Sequence, residues 1–563
     1  MRAEEQESVR MAGTRIFQGQ HVRGWVFLVA GIAAYVGVQA FFFPSYYSQA
    51  DSGCYVSMAY VFAQGKMSGE GLDMNLYRFM SLGGRLVGVH DPGMGWLLAP
   101  FTVFGPRGLF AFNMLLYLAG FVVFYLLLRR IGVHPAFSLL YLLHPTLWYH
   151  SRTIVNDFPS GVLFLIGLYC FVIGGRALMA SGFFWGLALF VRPAAGIFVG
   201  AFLLVWFVQT LLSKPADRQS GPGYPGLWKK VGMLAIGAIP PLVPLFLYNV
   251  LVLHSLTGIL PGRYPYAGPM WSLAHVPLRL LRYGIVLNVF YPLMLIVFFL
   301  YRGRLRWPLT GALIGTLAFY SLCYFYGYEE SILVKPLDAL VKGLRYFEGI
   351  LPVMVLTYAW VLHRLAGRFG KPFWALYAAG VCLLCVAVLA ITVVHQRHMD
   401  QSAYFRDQLF GNTPKGSLIL MDEVVRTRIS ADVTRPRRLL TVFPLESDPA
   451  HSIAELDGLL DAQGEAYVPE LRPGGEMAVS PQAAHDRDAF IGRHPHEVVL
   501  DVEKGGWRLE LIRVKPGGAP RGSMGQASEQ SGHGGESPSP GNPAAAAAAR
   551  QPNGRGAISE GTF

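Results

Sequence analysis

Two aspartates, 106 positions apart, carry the side chains of this sequence best placed to do chemistry. Asp51 sits in Ser48-Gln49-Ala50-Asp51-Ser52-Gly53-Cys54-Tyr55, directly after an apolar run from Trp25 to Phe43. Asp157 sits in Asn156-Asp157-Phe158-Pro159, where another apolar run begins. A carboxylate at the mouth of a membrane helix is costly to desolvate, so it is paired, wet or functional. Ionised, it is a base for a hydroxyl proton or a partner for a cation. Both positions also suit a structural role. Asp is a favoured N-cap, and Asp157 two residues ahead of Pro159 has the signature of a helix start.

The elements that must position these groups are membrane helices. The 563 residues are 53% hydrophobic and 15% charged, with a mean hydropathy of +0.38. Such values exclude an ordinary soluble enzyme and predict an all-α polytopic membrane protein. Trp25 to Phe43 is about 20 residues of nearly pure apolar sequence, enough to cross a bilayer. Ser48-Gln49-Ala50 has the look of a signal-peptidase site. The run before it exceeds the ~7–15 residues of a signal peptide, so an uncleaved first helix is expected. Residues 44–107 are too polar to span and read as a large first loop holding short interfacial helices, with glycine turns at 69–71 and 83–84. Apolar runs recur near 108–128, 135–149, 158–175, 178–190, 194–212, 231–253, 283–301, 307–326, 346–363 and 373–394, which with the first makes about eleven spans.

Charge orients them. Residues 1–394 carry 29 Lys and Arg against 13 Asp and Glu, or +16, whereas residues 395–563 carry 18 against 22, or −4. The basic excess belongs to topology and anionic lipid rather than to nucleic acid. With residues 1–23 cytoplasmic, inner segments hold 17 basic residues and the outer ones 12 in about twice the length. This is the positive-inside asymmetry, and it puts the C-terminal region outside. Of the carboxylates between 24 and 394, all but Asp217 fall on or near the external face. Acids contribute little to topology, so their clustering points to an external polar site.

The pattern changes after 394. Residues 24–394 form the membrane domain; 395–516 read as a small extramembrane α/β domain. Strands are expected at Gly416 to Val425 and Arg437 to Pro444, and a helix at Ser452 to Ala462. Glu497 to Val502 and Trp507 to Val514 form a hairpin about Lys504-Gly505-Gly506. Residues 517–563, rich in Gly, Pro, Ser and Ala, read as a disordered tail. The five cysteines are odd in number and lie in or beside apolar runs, which argues against a disulfide framework. Cys382 and Cys385 form a C-x-x-C within an apolar helix and read as core residues rather than a metal site. Gly221-Pro222-Gly223 lacks the Lys-Ser/Thr and strand context of a phosphate-binding loop. Tyr46, Tyr47, Trp148 and Tyr149 suggest an interfacial aromatic belt.

A series of motifs runs in a recognisable order. After Asp51 come Val89-His90-Asp91-Pro92-Gly93-Met94-Gly95-Trp96, His144-Pro145, Asn156-Asp157-Phe158-Pro159 and Gly186-Leu187-Ala188-Leu189-Phe190-Val191-Arg192-Pro193. Tyr248-Asn249 with Gly258 and Gly262-Arg263-Tyr264 follows, then Arg345-Tyr346 with Pro352. Over residues 24–394 this order resembles the integral-membrane C-type glycosyltransferases, in particular the protein mannosyltransferase and lipid A aminoarabinose transferase branch (family 39/83-like). The family often has Asp-Glu where this chain has Asp51-Ser52, and Pro-Pro where it has Pro92-Gly93. These departures bear on sugar and acceptor more than on reaction class.

The resemblance implies a hexosyl- or pentosyltransferase of a cell envelope, in a bacterial inner or plasma membrane. It would move a sugar from a polyprenyl-phosphate donor to a lipid, glycan or protein acceptor. A lipid-phosphate leaving group needs little protonation, unlike a glycoside, where two carboxylates usually act. One base must accept the acceptor's proton, and cations must steady the departing phosphate. Asp51 is the candidate base, and Asp157 orients it, binds acceptor or helps hold a metal. Arg192 and Arg345 are candidates for the phosphate, with Arg263 and Lys335 as further ones; each guanidinium suits a bidentate contact. Their structural alternative is snorkelling to headgroups. His90, Asp91 and Tyr55 are expected to support the loop or the acceptor, and no residue set is assigned to a metal, although a divalent ion is compatible. A polymerase or ligase of lipid-linked glycans is the nearest rival. A transporter or flippase would show inverted repeats and midplane charges, and neither is evident in the sequence.

Overall fold

The computed structural model describes residues 24–47, 50–72, 76, 78–82, 85–212, 224–258, 273–322 except 275, 344–422, 425, 429, 438–443, 453–473 and 481–517. The chain divides into two compact units: one holds the residues up to Gly416 together with Val424–Leu439, the other Ser417–Glu423 and the chain from Leu440.

The first unit is helical, and its helices follow the apolar runs. Helix α1 (Gly24–Phe41) leads to α2 (Ala50–Ala63), an antiparallel hairpin of β1 (Phe79–Leu82) and β2 (Arg85–Gly88), and α3 (Pro92–Leu98). Pro92 occupies the first helical position of α3, where a missing N–H costs nothing. The bundle continues through α4 (Gly105–Arg130), α5 (Ser138–Leu142), α6 (Pro145–Ser151), α7 (Asp157–Ile173), α8 (Ala177–Val191), α9 (Ala195–Leu212) and α10 (Tyr224–Leu251). Then come α11 (Val276–Val289), α12 (Met294–Leu300), α13 (Arg306–Leu322), α14 (Leu351–Phe369) and α15 (Lys371–Gly411).

The protein is an integral membrane protein by the character of these helices. Among the described residues five stretches are long and apolar enough to cross a bilayer: α1, Pro92–Arg130, α9, Gly226–Leu251 and α15; the bent pair α11 and α12 adds a sixth if it is counted as one span. Helices α7 and α8 are strongly apolar but only 17 and 15 residues long. The run at 135–149 is not one helix, because Pro145 lacks the N–H a continuous helix needs and opens a new one. Likewise 283–301 breaks with an 87° bend, where Leu293 takes a left-handed φ of 62° after Pro292. The first loop also carries a β-hairpin where only short helices were expected.

Close helix contact explains several small residues. A Cβ at Gly182 on α8 would lie 2.0 Å from the Leu234 carbonyl oxygen of α10, and one at Gly237 on α10 would lie 1.9 Å from that of Met179. Helices that touch backbone to backbone in this way gain dispersion contact without help from the hydrophobic effect, which lipid removes. Gly93 is held to the same limit, since a Cβ there would stand 2.1 Å from the Phe190 oxygen. That contact leaves no room for a second proline after Pro92. Tyr46, Tyr47 and Trp148 are buried inside the protein, not on its perimeter. Trp148 donates its indole N–H to Thr392 at 2.8 Å. The belt expected of them is therefore corrected: these rings fill the core, where each polar tip needs an internal partner.

The second unit is a five-stranded sheet with two helices. Its strands are β3 (Leu418–Asp422), β4 (Arg438–Phe443), β5 (Ala466–Pro473), β6 (His496–Lys504) and β7 (Trp507–Val514), ordered β4-β3-β5-β7-β6. Helices α16 (Ile453–Gln463) and α17 (Pro481–Ile491) flank β5 in sequence. β3 runs parallel to β5, and β7 pairs antiparallel with β5 and β6.

Candidate active site

The N-terminus of α2 presents Asp51 in its first turn, and the N-terminus of α7 presents Asp157 as its first residue. A helix N-terminus carries partial positive charge, which suits an ionised carboxylate. Between the two stands Arg345, the first residue of a short 3-10 turn ahead of α14. Its Nη2 donates to Asp51 Oδ2 at 2.6 Å, and its Nε donates to Asp157 Oδ2 at 2.6 Å. One guanidinium thus bridges the two candidate acids, using the planar fork that Lys lacks.

The outer oxygens of the pair have their own partners. Asp51 Oδ1 accepts from Arg78 Nη1 at 2.9 Å and faces His90 Nε2 at 3.1 Å. Asp157 Oδ1 lies 2.5 Å from Arg192 Nη1. Arg192, just beyond the end of α8, donates through Nη2 to the Tyr320 hydroxyl at 2.9 Å. Its guanidinium stands 5.8 Å from the ring centres of both Tyr320 and Tyr346, within cation–π range. Tyr55, one turn after Asp51, stacks on the His90 ring at 5.0 Å and so fixes the imidazole facing the carboxylate.

Exposure separates the two aspartates. Asp51 retains 20% of its side-chain surface, and Asp157 only 2%. Arg78 is the most open of the three arginines at 28%, while Arg345 and Arg192 are largely covered. The cluster is therefore open at Asp51 and Arg78 and closed at Asp157. A proton acceptor must be reachable by the donor hydroxyl, which makes Asp51 the group suited to that task and Asp157 the group suited to holding arginines. Burial alone would raise the Asp51 carboxyl, but Arg345, then His90 and Arg78, outweigh it and hold it well below the usual carboxylate range. Asp51 is thus ionised at neutral pH. Burial pushes the Cys54 thiol up to about 12 and raises the Tyr55 phenol, so both stay protonated.

Asp91 borders the cluster, its charge helping to raise the Tyr55 phenol. It precedes α3 in an extended conformation and makes no cap hydrogen bond. Arg263 and Lys335 lie outside the described residues. The Asp51 and Asp157 oxygens each face a guanidinium or an imidazole, which leaves none of the four turned toward a divalent cation. Among the described residues no three His, Cys, Asp or Glu side chains group to hold a metal ion. Sequence reasoning missed Arg78. Its signal was a basic residue in the first loop, with nothing in the local pattern to announce the hairpin that turns it toward Asp51.

Fold and site together define a helical membrane protein with an acid–arginine cluster built from helix ends. No protein-family model matches the chain, and no curated protein matches it. Among solved structures, the fold is similar to the crystal structure of ArnT from Cupriavidus metallidurans in the apo state. The TM-score is 0.54 at 14% identity, covering 87% of this chain and 98% of that one. At that identity the likeness is one of fold.

Proposed function

We propose that this protein is a C-type membrane glycosyltransferase that moves a sugar from a polyprenyl-phosphate carrier to an acceptor hydroxyl at the external face. The observation that carries the reading is the Arg345 bridge between Asp51 and Asp157, with Arg78 and Arg192 on their outer oxygens. The ArnT-like fold and the motif order over residues 24–394 support it.

In this reading the acceptor oxygen attacks the anomeric carbon and gives its proton to Asp51. The bond from that carbon to the carrier phosphate breaks, and the phosphate leaves with the electron pair. Arg345 and Arg78 are the arginines nearest the open side, and they neutralise the charge that develops on the phosphate oxygens. Arg192, beside the paired rings of Tyr320 and Tyr346, holds Asp157 in place, and Asp157 in turn aims Arg345. Cationic partners make Asp51 a weak base at rest. A carrier phosphate that draws Arg345 and Arg78 toward itself removes part of that stabilisation and strengthens the base where the hydroxyl arrives. An external site requires a donor that has crossed the membrane on a lipid, because nucleotide sugars are made in the cytosol. The sugar and the acceptor, whether lipid, glycan or protein, are found by mass spectrometry of lipid-linked sugars and envelope glycans with and without the gene. Loss of one sugar modification, with build-up of its polyprenyl-phosphate form, is the expected result; an unchanged profile would argue against the transferase.

A further inference from the structure

The turn that delivers Arg345 is fixed by groups that the proposed transfer does not use. Glu348 follows that turn, and its backbone N–H donates to the Arg345 carbonyl at 3.1 Å. Its side chain is fully buried and hydrogen-bonded to Nδ1 of His150, which is also fully buried. On α7, one turn beyond Asp157, Gly161 meets the Glu348 backbone so closely that a Cβ would lie 2.0 Å from the carbonyl oxygen. On the other side, a Cβ at Gly349 would lie 2.2 Å from the Phe198 ring of α9. Between them Phe347 is buried against Tyr283 and against Tyr320, the phenol that accepts from Arg192.

The hydrogen bonding around this pair bears on its charge. The second Glu348 oxygen and His150 Nε2 have no hydrogen-bond partner among the described residues. Buried ions persist where further hydrogen bonds satisfy them, and a carboxylate with one bare oxygen beside an imidazolium with one bare N–H lacks that support. A carboxylic acid donating to the Nδ1 of a neutral imidazole leaves the same oxygen and the same Nε2–H bare, but neither carries a formal charge, and an unpartnered neutral group costs far less to bury than an unpartnered ion. Neutrality also serves the neighbouring site, since a second anion behind Arg345 would compete with a phosphate for the same cationic field.

We propose that Glu348 and His150 form a neutral carboxyl–imidazole strut that sets the register of Arg345 against Asp157 and Asp51. They are positioning residues, acting through the backbone of the Arg345 turn. The proposal rests on the reading of Arg345 as a donor-phosphate group. The test is binding of a polyprenyl phosphate of defined length to the full-length protein in detergent, measured for Glu348→Leu and Glu348→Gln with and without Arg345→Ala. Glu348→Leu should weaken binding roughly tenfold, and should add nothing once Arg345 is Ala, because the two changes remove one interaction. Glu348→Gln should stay within about twofold of wild type, since its amide donates to Nδ1 as the acid does. Should Glu348→Leu fail to insert, His150→Leu runs the same cycle from the other side of the bond. Gln binding as weakly as Leu would overturn the neutral strut in favour of an ionised carboxylate. An undiminished Glu348→Leu loss on top of a weakened Arg345→Ala would overturn the positioning role alone. Binding indifferent to Arg345→Ala would overturn the donor-phosphate reading, and the strut with it.

Discussion

Removing Arg345 should damage donor use far more than it damages the fold. Arg345 makes two charge-assisted hydrogen bonds, at 2.6 Å to Asp51 and 2.6 Å to Asp157. Breaking a fully buried ion pair costs about 3–5 kcal/mol, because a charge is stranded. Neither aspartate is stranded here. Asp51 keeps Arg78 and His90 and part of its solvent contact, and Asp157 keeps Arg192. The structural cost of Arg345→Ala should therefore fall to roughly 1–3 kcal/mol, the scale of a lost hydrogen bond to a charged group. The functional loss has no such compensation. One charge-assisted contact to the carrier phosphate is worth about 1.5–3 kcal/mol, which is about 10- to 160-fold in kcat/KM for the donor. Arg345→Lys should recover only part of it, because an ammonium cannot reach both carboxylates and a phosphate with one planar fork. The assay is transfer from a polyprenyl-phosphate sugar over a range of donor concentrations, alongside thermal melting in the same detergent. An Ala variant with wild-type kcat and donor KM would refute the reasoning and return Arg345 to a topological role.

Three further outcomes follow from the geometry. The folded Asp51 carboxyl lies below its unfolded value near 3.9, so its stabilisation is complete above that value and is lost as pH falls through the folded one. The melting difference between wild type and Asp51→Asn should thus stay flat from pH 8 to 5 and shift only in more acid solution; a shift centred near pH 6 would contradict the assignment. Gly237→Leu should lower the melting temperature or block assembly, since its first carbon already meets the Met179 oxygen at 1.9 Å, and overpacking of this kind costs about 1–3 kcal/mol or more. A Leu variant as stable as wild type would mean that α8 and α10 pack otherwise. Reporter fusions after residues 220, 305, 368 and 420 should give an external signal only at 420; a cytoplasmic signal there breaks the placement of the site on the external face.

How far the sequence carried this reading depended on what each signal measures. Hydropathy registers length and apolarity, so it located the helices, yet it cannot register a backbone break; α5 and α6 appeared as one run, as did α11 and α12. Asp51 and Asp157 stood out as carboxylates where apolar runs end or begin, and Arg192 and Arg345 through their places in the motif order; the structure joins both aspartates through Arg345 and sets Arg192 beside Asp157. Arg78 was invisible for the opposite reason: a basic residue in a polar loop is common, and its approach to Asp51 is set by a hairpin of two four-residue strands. Glu348 was noted only as one more external carboxylate, since its bond to His150 spans 198 positions that no local pattern relates. Strand β5 was missed because Pro469 and Pro473 within it argue against a strand by composition. Its pairing with β3 and β7 overrides that local preference.

The measurement that tests the central claim most directly is transfer by Asp51→Asn. Asn caps a helix about as well as Asp and keeps its shape, so a structural Asp51 would tolerate the change. An amide cannot take the acceptor's proton, and loss of a general base costs about 10²–10⁴-fold. Purified wild type and Asp51→Asn would be compared for turnover of a polyprenyl-phosphate sugar and for polyprenyl-phosphate binding. The account predicts a folded variant that still binds the carrier and turns over at least a hundredfold more slowly. A folded Asp51→Asn protein with wild-type turnover, or efficient transfer from a nucleotide sugar, would contradict it.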